Sequence, residues 1–81
     1  MNGLKIGERI EILRVWKGMS MAELAEVTGC TQAAISQYES GKRMPGLKHF
    51  RSLCRALGVS YSLLLDGLDL DNERSEETNS N

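Results

Sequence analysis

The stretch Met21–Ser40 reads MAELAEVTGCTQAAISQYES, and its spacing decides the fold. Just before it, Ser20-x-x-Glu23 forms a capping box: the hydroxyl meets the Glu23 N–H, and the carboxylate reaches back to the Ser20 N–H. A helix therefore starts after Ser20, with Leu24 and Ala25 on its buried face. Gly29 ends it, because a left-handed backbone costs least at glycine. Thr31 is placed as the N-cap of a second helix over about Gln32 to Glu39, and Gly41 stops that one. Ala25 is small where the two helices must cross closely. Cys30, Ile35 and Tyr38 are placed to pack the second helix against the rest of the domain.

The outer face of the second helix carries the functional signal. At about 100° per residue, Gln32, Ala33, Ser36 and Gln37 fall within about 140° of arc. Thr31, Ala34, Ile35, Tyr38 and Glu39 fill the other side. The outer face is uncharged, small and amide-rich, whereas a merely solvated face more often carries Lys and Glu. Glutamine can pair bidentately with adenine N6 and N7, an Ala methyl suits the thymine methyl, and a serine hydroxyl can serve a base or a phosphate. Helix N-termini offer free N–H groups to phosphate, and both helices of the pair present one. Lys42 and Arg43 come directly after, where a phosphate strand could pass. These residues predict a helix-turn-helix that lays its second helix in the major groove of double-stranded DNA.

Working outward, a first helix runs from about Lys5 to Lys17, with Ile6, Ile10 and Leu13 on one face and Gly18 as terminator. Ser40 to Pro45 is a loop holding the only proline. A fourth helix runs from about Leu47 to Leu57, with Leu47, Phe50, Leu53, Cys54 and Leu57 on one face, and Gly58 caps it. A short fifth helix, about Tyr61 to Leu65, starts after Ser60 as N-cap. No strand pattern and no repeat is visible. The expectation is an all-α domain of five helices over residues 1–68, succeeded at 69–81 by an acidic, disordered tail.

Composition limits the alternatives. The chain of 81 residues is 41% hydrophobic and 26% charged, enough for one globular core. The formal net charge of −1 hides an asymmetry. Residues 1–68 hold nine Lys/Arg against six acids, a balance of +3, whereas residues 69–81 balance at −4. Cys30 and Cys54 with a single histidine do not make a four-ligand zinc site, and both read as packed free thiols. The N-terminus shows no signal-peptide pattern and no segment is long enough to span a bilayer, so a cytoplasmic protein without cofactor, metal, membrane or small-molecule partner is expected. No nucleophile–base pair or phosphate-cradling loop points to an enzyme.

The pattern resembles the phage repressor/Cro-type (lambda-repressor-like) helix-turn-helix family. The resemblance rests on Ile6-Gly7-Glu8-Arg9-Ile10, Leu24-Ala25, Gly29, Ile35-Ser36, Glu39-x-Gly41-Lys42-Arg43, Pro45 and Ala56-Leu57-Gly58-Val59-Ser60. It covers roughly residues 4–66. It implies a transcriptional regulator, typically a repressor, binding a two-fold palindromic operator as a dimer. It also implies base or nearby backbone contacts from Thr31, Gln32, Ala33, Ser36 and Gln37, and phosphate contacts from Lys42 and Arg43. The family pairs a first-helix arginine with the glutamate closing the recognition helix, here Arg14 and Glu39, and Arg14 is also placed to offer spare donors to a phosphate. One departure stands out. The family often has Gln at the start of the second helix, gripping phosphate and bracing the first Gln of the third. This chain has Met21, whose backbone N–H alone remains for phosphate.

Two groups of apolar residues go beyond what a small core absorbs. Leu63, Leu64 and Leu68, with Leu65 and Leu70, are expected to form a dimer contact. Ile12 and Trp16, at i and i+4, either cover the edge of the core or form a partner surface. The second option supports a competing reading, a protein-interaction module of antitoxin or anti-repressor type. His49 is expected to be an exposed residue without a role. The acidic stretch is either a solubilising extension or a competitor of DNA for the basic face.

Overall fold

Helices in this chain begin and end where flanking residues supply the hydrogen bonds that a helix terminus lacks. The structure, a computed structural model, describes residues 5–66. They form α1 (Ile6–Trp16), α2 (Met21–Thr28), α3 (Gln32–Ser40), α4 (Leu47–Leu57) and α5 (Tyr61–Asp66), with no strand among the described residues. The Lys5 N–H donates to Glu8 Oε1 at 2.9 Å to open α1. Ser20 Oγ accepts from the Glu23 N–H at 3.0 Å, and Glu23 Oε1 accepts from the Ser20 N–H at 2.7 Å. Thr31 Oγ1 accepts from the Ala34 N–H at 3.0 Å and opens α3.

The turn between α2 and α3 is a Schellman closure. Gly29 takes φ +73°, and the Cys30 N–H returns to the Ala25 carbonyl at 3.0 Å. Gly41 ends α3 the same way at φ +82°, and the Lys42 N–H reaches the Gln37 carbonyl at 3.0 Å. Each turn folds the chain back over its own helix. The second one thereby holds the loop after α3 beside residue 37.

The core sits where all five helices meet. Ile10, Leu24, Ile35, Leu53, Leu57 and Leu64 are fully buried, one or two from each helix. Each such side chain contributes about 1.5–3 kcal/mol by leaving water. The Phe50 and Tyr61 rings pack edge to face at a centroid distance of 5.7 Å, which seats α5 on α4. Buried Thr28 donates its hydroxyl to the Leu24 carbonyl at 2.7 Å, so this polar residue costs the core no orphaned group.

Glycine is required at position 7 for space. A Cβ there would lie 2.2 Å from the Tyr38 carbonyl oxygen and 2.7 Å from that of Glu39. The α1 and α3 backbones therefore touch, and only a missing side chain allows it.

Several sequence-based expectations need correction. Leu64 cannot be a dimer contact: it is fully buried, while Leu63 and Leu65 on either side are exposed. Leu47 is not on the core face of α4 but 72% exposed, because the packed stripe centres on Phe50, Leu53, Cys54 and Leu57. His49 is half-buried rather than exposed, with Nδ1 3.4 Å from the Tyr38 hydroxyl. Trp16 does not cover the core edge, being 86% exposed beside half-exposed Ile12. Leu68 and the segment 69–81 lie outside the described residues.

Candidate nucleic-acid interface

Helix α3 presents two chemically opposite faces. Ala34, Ile35, Tyr38 and Glu39 are buried. Gln32, Ala33, Ser36 and Gln37 are exposed, and so is Thr31 at the N-cap. The periodicity of α3 places the four outer side chains on one surface. Thr31 Oγ1 is committed as acceptor to Ala34, which leaves its hydroxyl proton for an outside partner.

The inner face is held by a buried ion pair. Arg14 Nε donates to Glu39 Oε2 at 2.7 Å and Arg14 Nη2 to Glu39 Oε1 at 3.2 Å, a bidentate arrangement. Arg14 Nη1 donates to the Met19 carbonyl at 2.8 Å. The hydrogen bond that Arg14 donates to Glu39 raises the Arg14 pKa against the opposing effect of burial. Three of the five Arg14 N–H donors are thus spent inside the domain, and its side chain is only 11% exposed. Arg14 ties α1 to the end of α3 and to the turn before α2.

The rim of the outer face carries cations and free donors. Lys42 and Arg43 are exposed in the loop after α3. The N–H groups of Met21 and Ala22 at the start of α2, and of Gln32 and Ala33 at the start of α3, have no acceptor among the described residues. Such groups suit an anion. The Met21 side chain is half-buried and packs against the core, so only its backbone is available.

One contact escapes a linear reading of the sequence. Arg43 Nη1 approaches Gln37 Oε1 at 3.4 Å, and the Arg43 N–H donates to the Gln37 carbonyl at 3.2 Å. With its oxygen turned to the guanidinium, the Gln37 amide presents its NH2 outward as a donor. The Schellman closure at Gly41 is the local signal that could have located this contact, because it brings residue 43 back beside residue 37.

Residues 10–64 match the helix-turn-helix family model. The chain belongs to the helix-turn-helix family. Among relatives, it is 41% identical over 69 residues to the SPbeta prophage-derived HTH-type transcriptional regulator YonR of Bacillus subtilis (strain 168). That match covers 80% of this chain and 64% of YonR, so the chain spans less than two thirds of this relative's length. The fold matches the P22 c2 repressor in complex with a synthetic operator, with a TM-score of 0.78 and 32% identity over 80% of this chain and 98% of that one. It also matches the biofilm-formation regulator SinR in complex with DNA, with a TM-score of 0.71 and 35% identity over 75% of this chain and 98% of that one.

Within this helix-turn-helix domain, two further residues set the geometry without lying on the outer face. Gly7 lets α1 approach α3. Buried Arg9 donates from Nη1 to the Leu64 carbonyl at 2.9 Å and to that of Leu65, capping the last turn of α5. Its Nε is buried without a partner among the described residues. Sequence reasoning gave neither residue a task, because both roles depend on helices distant in the chain.

The described residues contain no group of three His, Cys, Asp or Glu side chains that could hold a metal ion. No helix among them is long and apolar enough to cross a membrane.

Proposed function

We propose that this domain is a sequence-specific reader of double-stranded DNA that regulates transcription in the cytoplasm. It lays α3 in the major groove. Gln32, Ala33, Ser36 and Gln37 face the bases, with Thr31 at the groove edge. Lys42, Arg43 and the backbone N–H of Met21 hold phosphates. The observation that carries this reading is the outer face of α3: exposed, uncharged, amide-rich and rimmed by cations and free N–H donors. The P22 c2 repressor and SinR, both similar in fold, are seen with operator or DNA, which supports the same use here. The role is one of binding and includes no catalysis.

The domain acts as a homodimer on a two-fold site, with exposed Leu63 and Leu65 offering apolar surface to the second copy. Recognition helices in such a dimer sit roughly 34–36 Å apart, one turn of DNA. Selecting bound sequences from a random duplex pool tests both parts. The expected product is a palindrome whose half-sites are one helical turn apart, bound with steep salt dependence. Failure to enrich any sequence, or binding indifferent to salt, would sink the reading.

Trp16, 86% exposed beside Ile12, favours a second reading, a surface for a protein partner. A stoichiometric protein complex that survives nuclease and high salt, and is lost on Trp16→Ala but not on Gln37→Ala, separates that reading from the first.

A further inference from the structure

The positive charge of this domain is not spread evenly. Outside α4, the cations and acids of residues 1–68 balance, at six each. The whole excess of +3 belongs to Lys48, Arg51 and Arg55 on α4, a helix with no acidic residue. All three line one surface groove with Leu47 and Ser52. At about 100° per residue they lie on the side of α4 opposite Phe50, Leu53 and Leu57. No carboxylate pairs with any of them among the described residues, where the only ion pair is Arg14–Glu39. They also stand about 100–160° around α4 from His49, whose ring faces Tyr38 of α3. The stripe is thus turned away from the flank of α4 that meets the recognition helix.

We propose that this groove is the docking surface of the chain's own acidic segment, residues 69–81. Three observations point to that occupant. The first is charge: the segment carries Asp69, Asp71, Glu73, Glu76 and Glu77 against one cation, Arg74. The second is position: the segment comes after α5, which is seated on α4 through Tyr61 and Phe50. The third is reach. Phe50 lies on the side of α4 away from the stripe, about 10–12 Å across the helix, and the segment of 13 residues spans up to about 43 Å when extended. Asp69, Asp71 and Glu73 alternate, so an extended chain presents them on one side, spanning about 13 Å. Tethering keeps the acids at high effective concentration near the stripe, so individually weak surface pairs act together. The proposal does not rest on DNA binding.

The test uses the full 81-residue chain. Backbone amide spectra are compared between the unaltered protein and a variant carrying Asp69→Asn, Asp71→Asn, Glu73→Gln, Glu76→Gln and Glu77→Gln. The expected differences fall on Lys48–Arg55 and spare Gln32–Gln37. They should shrink at least about threefold from about 0.1 M to about 1 M salt, as the Debye length falls from about 10 Å to about 3 Å. They should also be unchanged on about tenfold dilution, as for an intramolecular contact. In a Lys48→Gln, Arg51→Gln, Arg55→Gln background, neutralising the acids should alter nothing on α4. No α4 difference at low salt overturns the proposal. Differences that vanish on dilution also overturn it, because the occupant is then a second copy. So does a loss of duplex affinity in the α4 variant while the neutralised segment leaves α4 spectra unchanged, which makes the stripe a DNA surface.

Discussion

The two faces of α3 obey different rules although they alternate along nine residues. On the inner face every group is specified by a neighbour. Ile35 is sealed in the core, Glu39 is clamped by Arg14, and the Tyr38 and Glu39 carbonyls lie against Gly7. On the outer face almost nothing inside the domain constrains the side chains, and only Gln37 meets a partner, Arg43. The lesson is a separation of tasks. Substitution inside should change stability and leave base preference alone, whereas substitution outside should do the reverse.

The strongest attempt to break this separation is Glu39→Ala, which strands a buried guanidinium. It is expected to cost about 3–5 kcal/mol in urea unfolding. The double variant Arg14→Met, Glu39→Leu should recover most of that loss, since removing both charges leaves nothing buried unpaired. Next comes Gly7→Ala, which drives a methyl into the α3 carbonyls. A loss of about 1–3 kcal/mol is expected, with the selected DNA sequence unchanged.

On the outer face, Gln37→Ala should leave stability within about 0.5 kcal/mol. It should also remove about 1–3 kcal/mol of discrimination at one base pair of each half-site. An unfolding midpoint that moves while the preference stays would merge the two faces. Arg43 sharpens the comparison, because it touches both a candidate phosphate and a reading side chain. Arg43→Ala should lower the salt slope by about one and relax the preference at the base pair Gln37 reads. Arg43→Lys should restore the slope without the preference, because an ammonium lacks the guanidinium's fixed planar donors.

The smallest effect concerns alkali. Burial, then Cys30, raises the Tyr38 pKa, and burial raises that of the Cys54 thiol. Folded protein keeps these protons to higher pH than the unfolded chain does. The associated stability is complete below the unfolded values, about 8.5 for a thiol and 10 for a phenol, and is lost as pH rises through the folded ones. Thermal midpoints should therefore fall from about pH 9 upward. The fall should be shallower for Tyr38→Phe.

What could be read along the chain was local. Ser20-x-x-Glu23, Thr31, Gly29 and Gly41 act within one turn of themselves, so the helix pair and the outward set on α3 follow from spacing alone. The apolar period of α4 was equally legible except at Leu47, where one position at the start of the helix falls off the packed stripe. The consecutive leucines of α5 could not be sorted by composition. Burial of Leu64 and exposure of Leu63 and Leu65 depend on how α5 lies against α1 and α4.

By itself, then, the sequence determined the helices, the tight turn and the uncharged reading face, because hydrogen-bond capping and helical period are short-range. Only the tertiary structure decided which charges are spent inside. Arg14 and Arg9 look like Lys48 and Arg51 in the sequence. Yet the first two are buried and committed to Glu39 and to the end of α5, and the other two are left on the surface. That difference arises because burial is set by helices far apart in the chain, and a guanidinium enters the interior only where another helix brings an acceptor to meet it.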